Sequence, residues 1–203
     1  MSCICNKVAN SITVQPINRE WNIETMQRRL FFAIPAEQLS NALQHSQQQL
    51  LPEGYLKPVP VDNFHLTLHF LGLQDDSILP SLYQAAAQIQ SPAFTLQLDR
   101  YGLFHHARCL WLGPQHPAPE LCMLVKQLSL VLTQLDLPVS ADYRPHITLF
   151  RNARTLPNQP APTLQLPVSE FILYESVSGN NGVQYRPLQH WSLLHQLTGK
   201  KRQ

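Results

Sequence analysis

Apolar and polar positions follow short-range patterns from residue 28 onward, and these patterns predict strands. Residues 30–34 (LFFAI) form a continuous apolar run, as in a strand buried on both faces. Residues 65–71 (HLTLHFL) alternate as in a strand buried on one face. Further strands of one or the other kind are predicted at residues 94–98, 109–112, 146–150, 171–174 and 183–195.

Helical periodicity separates several of these strands. Helices are predicted at residues 36–50 and 77–90, and a third has Pro119 in its first turn and ends at Pro138. Apolar residues of this third helix recur at the spacing of one buried face. They are Leu121, Leu124, Val125, Leu128, Leu132 and Leu135. The chain is therefore expected to be α+β, with a strand–helix–strand unit that occurs more than once.

Turn residues mark the connections between these elements. Several prolines and Gly54 place a loop at residues 52–60, and a second Pro-rich loop is predicted at residues 157–167. The sequence of residues 179–182 (GNNG) predicts a hairpin that joins the last two strands.

Residues 1–27 differ from the rest of the chain, since they show neither strand nor helix periodicity. They are interpreted as an accessory or disordered N-terminal extension, and Met26 is an alternative start of translation. Residues 28–203 are expected to form a single domain with two lobes.

Composition limits the classes of protein open to this chain. With 203 residues, of which 44% are hydrophobic, it can bury a sizeable core. Its net charge of +2 argues against binding along long duplex DNA, so a nucleic-acid partner is expected to be bound at a short end of its strand. Its four cysteines resemble neither a disulfide framework nor a zinc site. Without a secretion or membrane-spanning pattern, a cytoplasmic monomer is expected.

The sequence His-apolar-Thr-Leu occurs twice, at residues 65–68 and at residues 146–149. Each copy follows a loop and opens a predicted strand. Because residues two apart share a face of a strand, His65 and Thr67 point one way, as do His146 and Thr148. The two polar faces can meet across a cleft if the halves of the chain pack around a pseudo-twofold axis.

Such a cleft suits hydrolysis of a phosphodiester without a metal. A base must take a proton from water, and an acid must give one to the leaving oxygen. Histidine, with a reference pKa of about 6.5, can act as either near neutral pH. The hydroxyls of Thr67 and Thr148 can donate hydrogen bonds to the non-bridging oxygens. No carboxylate cluster accompanies the histidines, so no metal and no cofactor are expected.

The paired motifs resemble those of the 2H phosphoesterase superfamily. The surrounding sequence is similar to its bacterial RNA 2′,3′-cyclic phosphodiesterase branch, also called 2′-5′ RNA ligases. The resemblance extends over about residues 28–195. Its clearest stretches are residues 29–34, 63–72, 110–113, 144–149 and 171–176 (RLFFAI, NFHLTLHFLG, LWLG, RPHITL and FILYES).

This resemblance implies a bilobal fold, in which two mainly antiparallel sheets built from duplicated units surround a central groove. It implies hydrolysis of a terminal 2′,3′-cyclic phosphate on RNA to a 2′-phosphomonoester. By the family's pattern, His65 donates a proton to the leaving 3′ oxygen and His146 accepts one from water. The reverse reaction, ligation of RNA ends through a 2′-5′ bond, is also attributed to this group.

Alternation also predicts the positions of two residues next to the motifs. Alternation places His69 on the face of His65 and Thr67, where family members commonly carry a small residue; there it would touch the substrate, act on His65 or simply be tolerated. Arg151 is a candidate for substrate binding, but alternation turns it away from the groove unless the strand ends or bulges after Phe150.

Several aromatic side chains are candidates for stacking on a base, although core positions are the simpler interpretation. They are Phe104, Trp111, Tyr143 and Tyr174.

Three alternatives to the hydrolase remain at this point. The chain could be a 2′-5′ RNA ligase, a phosphodiesterase for small cyclic nucleotides or 2′-5′ oligonucleotides, or an RNA- or nucleotide-binding module without turnover. A pure binding module has no need for both an acid and a base, so the paired histidines favour an enzyme.

Overall fold

The computed structural model describes residues 26–55, 57–140, 142–179 and 182–194. The predicted N-terminal extension at 1–27 therefore lies outside the described residues, except for Met26 and Gln27, and Gln27 begins the first strand. The strands and α-helices are β1 Gln27–Pro35, α1 Ser40–Leu50, β2 Lys57–Pro58, β3 His65–Asp75, α2 Leu79–Ala86, β4 Phe94–Leu98, β5 Arg100–Phe104, β6 Cys109–Gly113, α3 Pro119–Gln134, β7 Ile147–Arg151, β8 Leu164–Val168, β9 Glu170–Gly179 and β10 Gly182–Ser192.

The large sheet has the strand order β10-β9-β1-β3-β7-β6-β5, with the short β2 paired to β7. All of its ladders are antiparallel. In the middle, β3 and β7 pair at one position, Leu66 with Ile147. This join divides the sheet into a first half (β10, β9, β1 and β3) and a second half (β7, β6, β5 and β2). The α+β class with antiparallel sheets is confirmed, and β4 and β8 form a separate two-stranded sheet.

Each half of the sheet is backed by a helix from the other half of the chain. Gln47 of α1 donates hydrogen bonds to the carbonyls of Val59 and Leu149, and Leu149 belongs to β7. The helix α3 packs behind β3, where His69 contacts Val125. Most buried apolar side chains of both halves form one contiguous cluster, and a second, smaller cluster consists of Phe31, Ala33, Ile172 and Tyr174. No helix within the described part of the chain is both long and apolar enough to cross a membrane.

Most elements agree with the sequence pattern, but three strands were not predicted. β5 was missed, the short β2 lies inside the loop predicted at 52–60, and β8 lies almost entirely inside the Pro-rich loop predicted at 157–167. A proline is tolerated in β8 because the two-stranded sheet gives it an outer edge, and Pro167 pairs with Thr95. α2 is shorter than predicted at both ends, since residues 76–78 form a 3-10 turn and the α-helix ends at Ala86.

The predicted hairpin between the last strands is confirmed by the pairing of Gly179 with Gly182. Its two central residues, Asn180 and Asn181, lie outside the described residues.

Candidate active site

The two His-x-Thr motifs lie against each other at the join of the two half-sheets. Leu66 pairs with Ile147, and both side chains are fully buried. Because the strands are antiparallel, His65 is the neighbour of Thr148 across the join, and Thr67 is the neighbour of His146. The four polar residues lie on the sheet face opposite to Leu66 and Ile147. The pseudo-twofold axis thus sets each histidine beside the other motif's threonine.

Both imidazoles are held by the same backbone contact. The Nδ1–H of His65 donates to the carbonyl of Asn63 at 2.8 Å, and that of His146 donates to the carbonyl of Arg144 at 2.6 Å. A carbonyl oxygen only accepts hydrogen bonds, so Nδ1 carries a proton in both rings. This arrangement leaves each Nε2 free for proton transfer.

Aromatic rings pack around His65. Phe31 of β1 lies 5.1 Å from it between ring centroids, and Tyr185 of β10 approaches edge-on at 4.8 Å. Tyr174 of β9 stacks on Phe31 at 5.3 Å. These contacts fix the orientation of His65 and replace much of the water around it.

His146 has aromatic neighbours from the second half-sheet. Phe104 contacts it edge-on at 4.8 Å, and Trp111 lies 5.9 Å away. Phe104 and Trp111 therefore form part of the site as well as of the packing. Phe104 and His146 border a cavity of about 250 Å³, whose lining also includes Thr67, His69 and Tyr143.

Burial is the main reason why the pKa of His65 falls to about 4. The hydrogen bond to Asn63 opposes this shift, and the nearby positive charges of His146 and Arg151 add to it. Burial also lowers the pKa of His146, and the carbonyl of Arg144 partly offsets that effect. Both rings are therefore neutral in the free protein at pH 7, and an anion bound between them would raise both pKa values.

A β-bulge turns the imidazole of His69 toward α3. The ladder between β1 and β3 passes from Ala33–Thr67 to Phe32–His69, which leaves Leu68 without a partner. The extra residue reverses the alternation. His69 is 1% exposed, and its Nε2 lies 3.1 Å from the Oγ of Ser129 on α3. The prediction that His69 shares the groove face with His65 and Thr67 was wrong for this reason.

A second bulge turns Arg151 toward the groove face. The ladder between β6 and β7 passes from Trp111–Thr148 to Leu110–Phe150, which leaves Leu149 without a partner. Phe150 is fully buried, whereas Arg151 is exposed and acts on His65 electrostatically. Arg151 was expected to face the groove only if the strand ended or bulged after Phe150. The strand does bulge, one residue earlier, at Leu149.

The two bulges occupy the same step of the two motif copies. Two residues after the bulge, one side chain of each strand points to the groove face again. These side chains are Phe70 in β3 and Arg151 in β7. Phe70 is 66% exposed and contacts Phe31 at 5.9 Å. The otherwise symmetric groove therefore has an apolar end at Phe70 and a cationic end at Arg151. Aligning the two copies (HLTLHF and HITLFR) would have indicated this pair.

Gly102 makes room for Trp111 beside His146. The two residues are partners in the ladder between β5 and β6, and a Cβ at Gly102 would lie 2.0 Å from Cζ2 of Trp111. We expect Gly102→Ala to displace the indole, to lower the free energy of unfolding by about 1–3 kcal/mol and to reduce turnover. Denaturant unfolding measures the first effect. Gly179→Ala, with no neighbour closer than 3.9 Å, is the control, and equal stability of the two variants would contradict the packing argument.

Among the described residues, no group of three or more His, Cys, Asp and Glu side chains is placed to hold a metal ion. Asp62 and Asp142 lie near the motifs, and Asp142 forms an exposed ion pair with Arg144.

The sequence and the fold match those of known phosphoesterases. Residues 33–111 match the family model described as LigT like Phosphoesterase. The chain is 36% identical over 171 residues to the RNA 2′,3′-cyclic phosphodiesterase of Escherichia coli K12, covering 82% of this chain and 97% of that protein. It is 30% identical to the protein of the same name from Thermus thermophilus, covering 81% of this chain and 90% of that protein.

A solved structure shows the same fold. E. coli LigT complexed with 3′-AMP superposes with a TM-score of 0.76 at 34% identity, covering 83% of this chain and 99% of that one. The likeness to these proteins extends over most of their length and over both half-sheets. The chain belongs to the LigT-like phosphoesterase family of the 2H superfamily.

Proposed function

We propose that this protein is an RNA 2′,3′-cyclic phosphodiesterase, which hydrolyses a terminal 2′,3′-cyclic phosphate to a 2′-phosphomonoester. The observation that carries the proposal is the pair of imidazoles with free Nε2 atoms, each opposed by a threonine across the join of the half-sheets. Membership of a family whose relatives bear this name supports it.

In the proposed reaction, the cyclic phosphate lies between the two motifs. Nε2 of His146 takes a proton from water as the water oxygen bonds to phosphorus. The bond from phosphorus to the 3′ oxygen breaks, and Nε2–H of His65 gives that oxygen a proton. The product keeps its phosphate on the 2′ oxygen. The assignment of acid and base follows the family pattern, because the near-symmetric geometry suits either direction.

The phosphate oxygens need donors as negative charge builds on them. The hydroxyls of Thr67 and Thr148 lie on the groove face beside the histidines, where they can donate to the two non-bridging oxygens. Arg151 adds positive charge at one end of the same face and is proposed to bind the substrate.

The negative charge of the bound substrate favours protonation of the histidine that acts as the acid. In the free protein, burial holds the pKa values of both histidines low. A bound phosphate anion stabilises an imidazolium, so the singly protonated pair becomes favoured when the substrate is present.

The pH dependence should reflect these shifts. A histidine whose pKa is lowered loses its proton earlier as pH rises, so the singly protonated pair of the free enzyme is most populated below pH 6.5. We expect kcat/KM to be bell-shaped with its maximum below that value, and the kcat profile to lie at higher pH. Initial rates from about pH 4 to 9 measure both. A value of kcat/KM that still rises at about pH 8 would contradict the assignment.

The decisive assay uses a short RNA with a terminal 2′,3′-cyclic phosphate, incubated in EDTA. The proposed mechanism uses side chains alone, so we expect turnover to continue and the product to be the 2′-phosphate. Nucleoside 2′,3′-cyclic phosphates, 2′-5′ oligoadenylates and RNA ends for ligation are compared in parallel. Faster conversion of one of these, or binding without any product, would replace the proposed function with the corresponding alternative.

A further inference from the structure

Beyond Arg151, the cationic end of the groove continues as a surface of basic side chains. Lys57 pairs with Arg151 between β2 and β7, and both border a depression of about 320 Å³ together with Arg154. Arg154 also borders a second depression of about 350 Å³, together with Arg108 and His105. The two depressions adjoin at Arg154. We call this surface the basic tract and define it by Lys57, Arg108, Arg151 and Arg154.

The backbone fixes the two distal members of the tract next to each other. Arg108 has a left-handed φ of 50° in the turn between β5 and β6, and its carbonyl accepts a hydrogen bond from the N–H of Ala153 at 2.9 Å. Asn152, with a φ of 59°, turns the chain just after β7. The segment that carries Arg154 is thereby tied to the turn that carries Arg108.

The positive charge of the tract is not balanced locally. All four side chains are exposed, and within the described ranges none of them takes part in an ion pair; the arginines that do are Arg28, Arg144 and Arg186. One carboxylate, Glu53, borders the first depression, and its Oε2 accepts a hydrogen bond from the N–H of Asn158 at 2.8 Å. Four cations and one acid leave a surplus of positive charge beside the groove.

We infer that the basic tract binds the phosphodiester backbone of the RNA strand that leads to the terminal nucleotide. This inference rests on the proposed function and extends it to a substrate class, an oligonucleotide in preference to a single nucleotide. With the cyclic phosphate between His65 and His146, the strand leaves through the 5′ oxygen of the last nucleotide. A polyanion is attracted to the four cations at the Arg151 end, which are unpaired within the described part of the chain. The Phe70 end has fewer, since Arg29 and Arg144 border its depressions and Arg144 is paired with Asp142.

The chemistry of the tract also limits what it recognises. Arginine and lysine contacts to phosphate position a strand without reading its bases. The tract is therefore expected to raise affinity for upstream nucleotides of any sequence. Deoxyribonucleotides upstream of a terminal ribonucleotide should serve equally well, because the contacts are to phosphate and not to the 2′-hydroxyl.

The test compares substrates of increasing length, from a nucleoside 2′,3′-cyclic phosphate to an octanucleotide with the same terminus. For the unaltered protein, kcat/KM should rise with length, and the gain should shrink as salt is added. Lys57→Gln, Arg108→Gln and Arg154→Gln should each lower kcat/KM for the octanucleotide about two- to fivefold, as exposed ion pairs do. Each should reduce the salt slope by about 0.7 and leave hydrolysis of the mononucleotide unchanged.

Lys126→Gln is the matched control, since it removes one exposed positive charge from α3, away from the tract. A second control keeps the protein and changes the RNA, by replacing the upstream phosphates with uncharged methylphosphonates. The unaltered protein should then lose its preference for length, and each variant, which keeps three of the four cations, should lose less from the replacement than the unaltered protein does.

Binding of a fluorescent octanucleotide with a 2′-phosphate end gives a readout that does not depend on turnover. The basic tract does not bind the RNA strand if the variants and the control bind this octanucleotide equally, or if their rates on mononucleotide and octanucleotide fall together. In either case, activity of the unaltered protein on the mononucleotide would leave the proposed function intact. If the protein hydrolyses no cyclic phosphate but the variants still bind RNA more weakly than the control, the proposed function fails and the tract stands. Loss of binding to a polyglutamate peptide but not to RNA would indicate an acidic protein partner instead.

Discussion

Replacing either His65 or His146 with alanine is expected to lower kcat/KM for the cyclic phosphate by about 10²- to 10⁴-fold, the usual contribution of a general acid or base. The reason is geometric, because each Nε2 is the free nitrogen of a ring whose Nδ1 is bound to a backbone carbonyl. Once one ring is gone, its partner cannot supply both proton transfers in a single turnover. Steady-state hydrolysis of a short RNA ending in a cyclic phosphate measures the loss.

Two further variants separate chemistry from folding. His65→Asn keeps an amide N–H that can donate to the carbonyl of Asn63 but has no counterpart to Nε2, so it should be folded and as slow as the alanine variant. His45→Ala removes an exposed histidine of α1 and should be fully active. Full activity in both His65→Ala and His146→Ala would refute the two-histidine mechanism.

Replacing Thr67 or Thr148 with valine is expected to cost roughly 2–4 kcal/mol of transition-state stabilisation, by analogy with the loss of one oxyanion donor. This corresponds to about 30- to 1,000-fold in kcat/KM. Valine has nearly the shape of threonine, and Thr67 is only 8% exposed, so packing should be preserved while the hydroxyl is lost. The pre-steady-state rate of cyclic phosphate opening measures the effect on the chemical step.

Serine at the same positions keeps the hydroxyl and should retain most of the rate. The double variant Thr67→Val/Thr148→Val tests whether the two hydroxyls act on one phosphate, because donors that share a charge give non-additive losses. If both valine variants turn over at the unaltered rate, the threonines do not bind the phosphate.

The faces of the two motifs could be predicted from the sequence because strand alternation holds over the three residues of each His-x-Thr. Alternation fails at the next residue of each motif, Leu68 or Leu149. Simple alternation places His69 and Arg151 on the wrong side because Leu68 and Leu149 bulge. A bulge depends on which residue lacks a partner on the neighbouring strand, and the strand's own sequence does not carry that information.

The aromatic neighbours of His65 could not be predicted from the sequence, for a different reason. Phe31 lies in a run of apolar residues, and such a run does not reveal which side chains face the core and which face the groove. Tyr174 and Tyr185 come from β9 and β10, far along the chain from β3. Their proximity to His65 is a property of the strand order β10-β9-β1-β3, and local periodicity does not determine a strand order of this kind.

That strand order has a consequence for folding of the protein during its synthesis on the ribosome. The first strand, β1, lies between β3 and β9, and β9 pairs with β10, so the wall around His65 needs residues from both ends of the described chain. Both histidine motifs leave the ribosome before β9 and β10 do. Such long-range pairing slows folding and delays it until late in synthesis. A nascent chain that already carries both histidines is thus expected to stay inert toward RNA until its last strands have emerged.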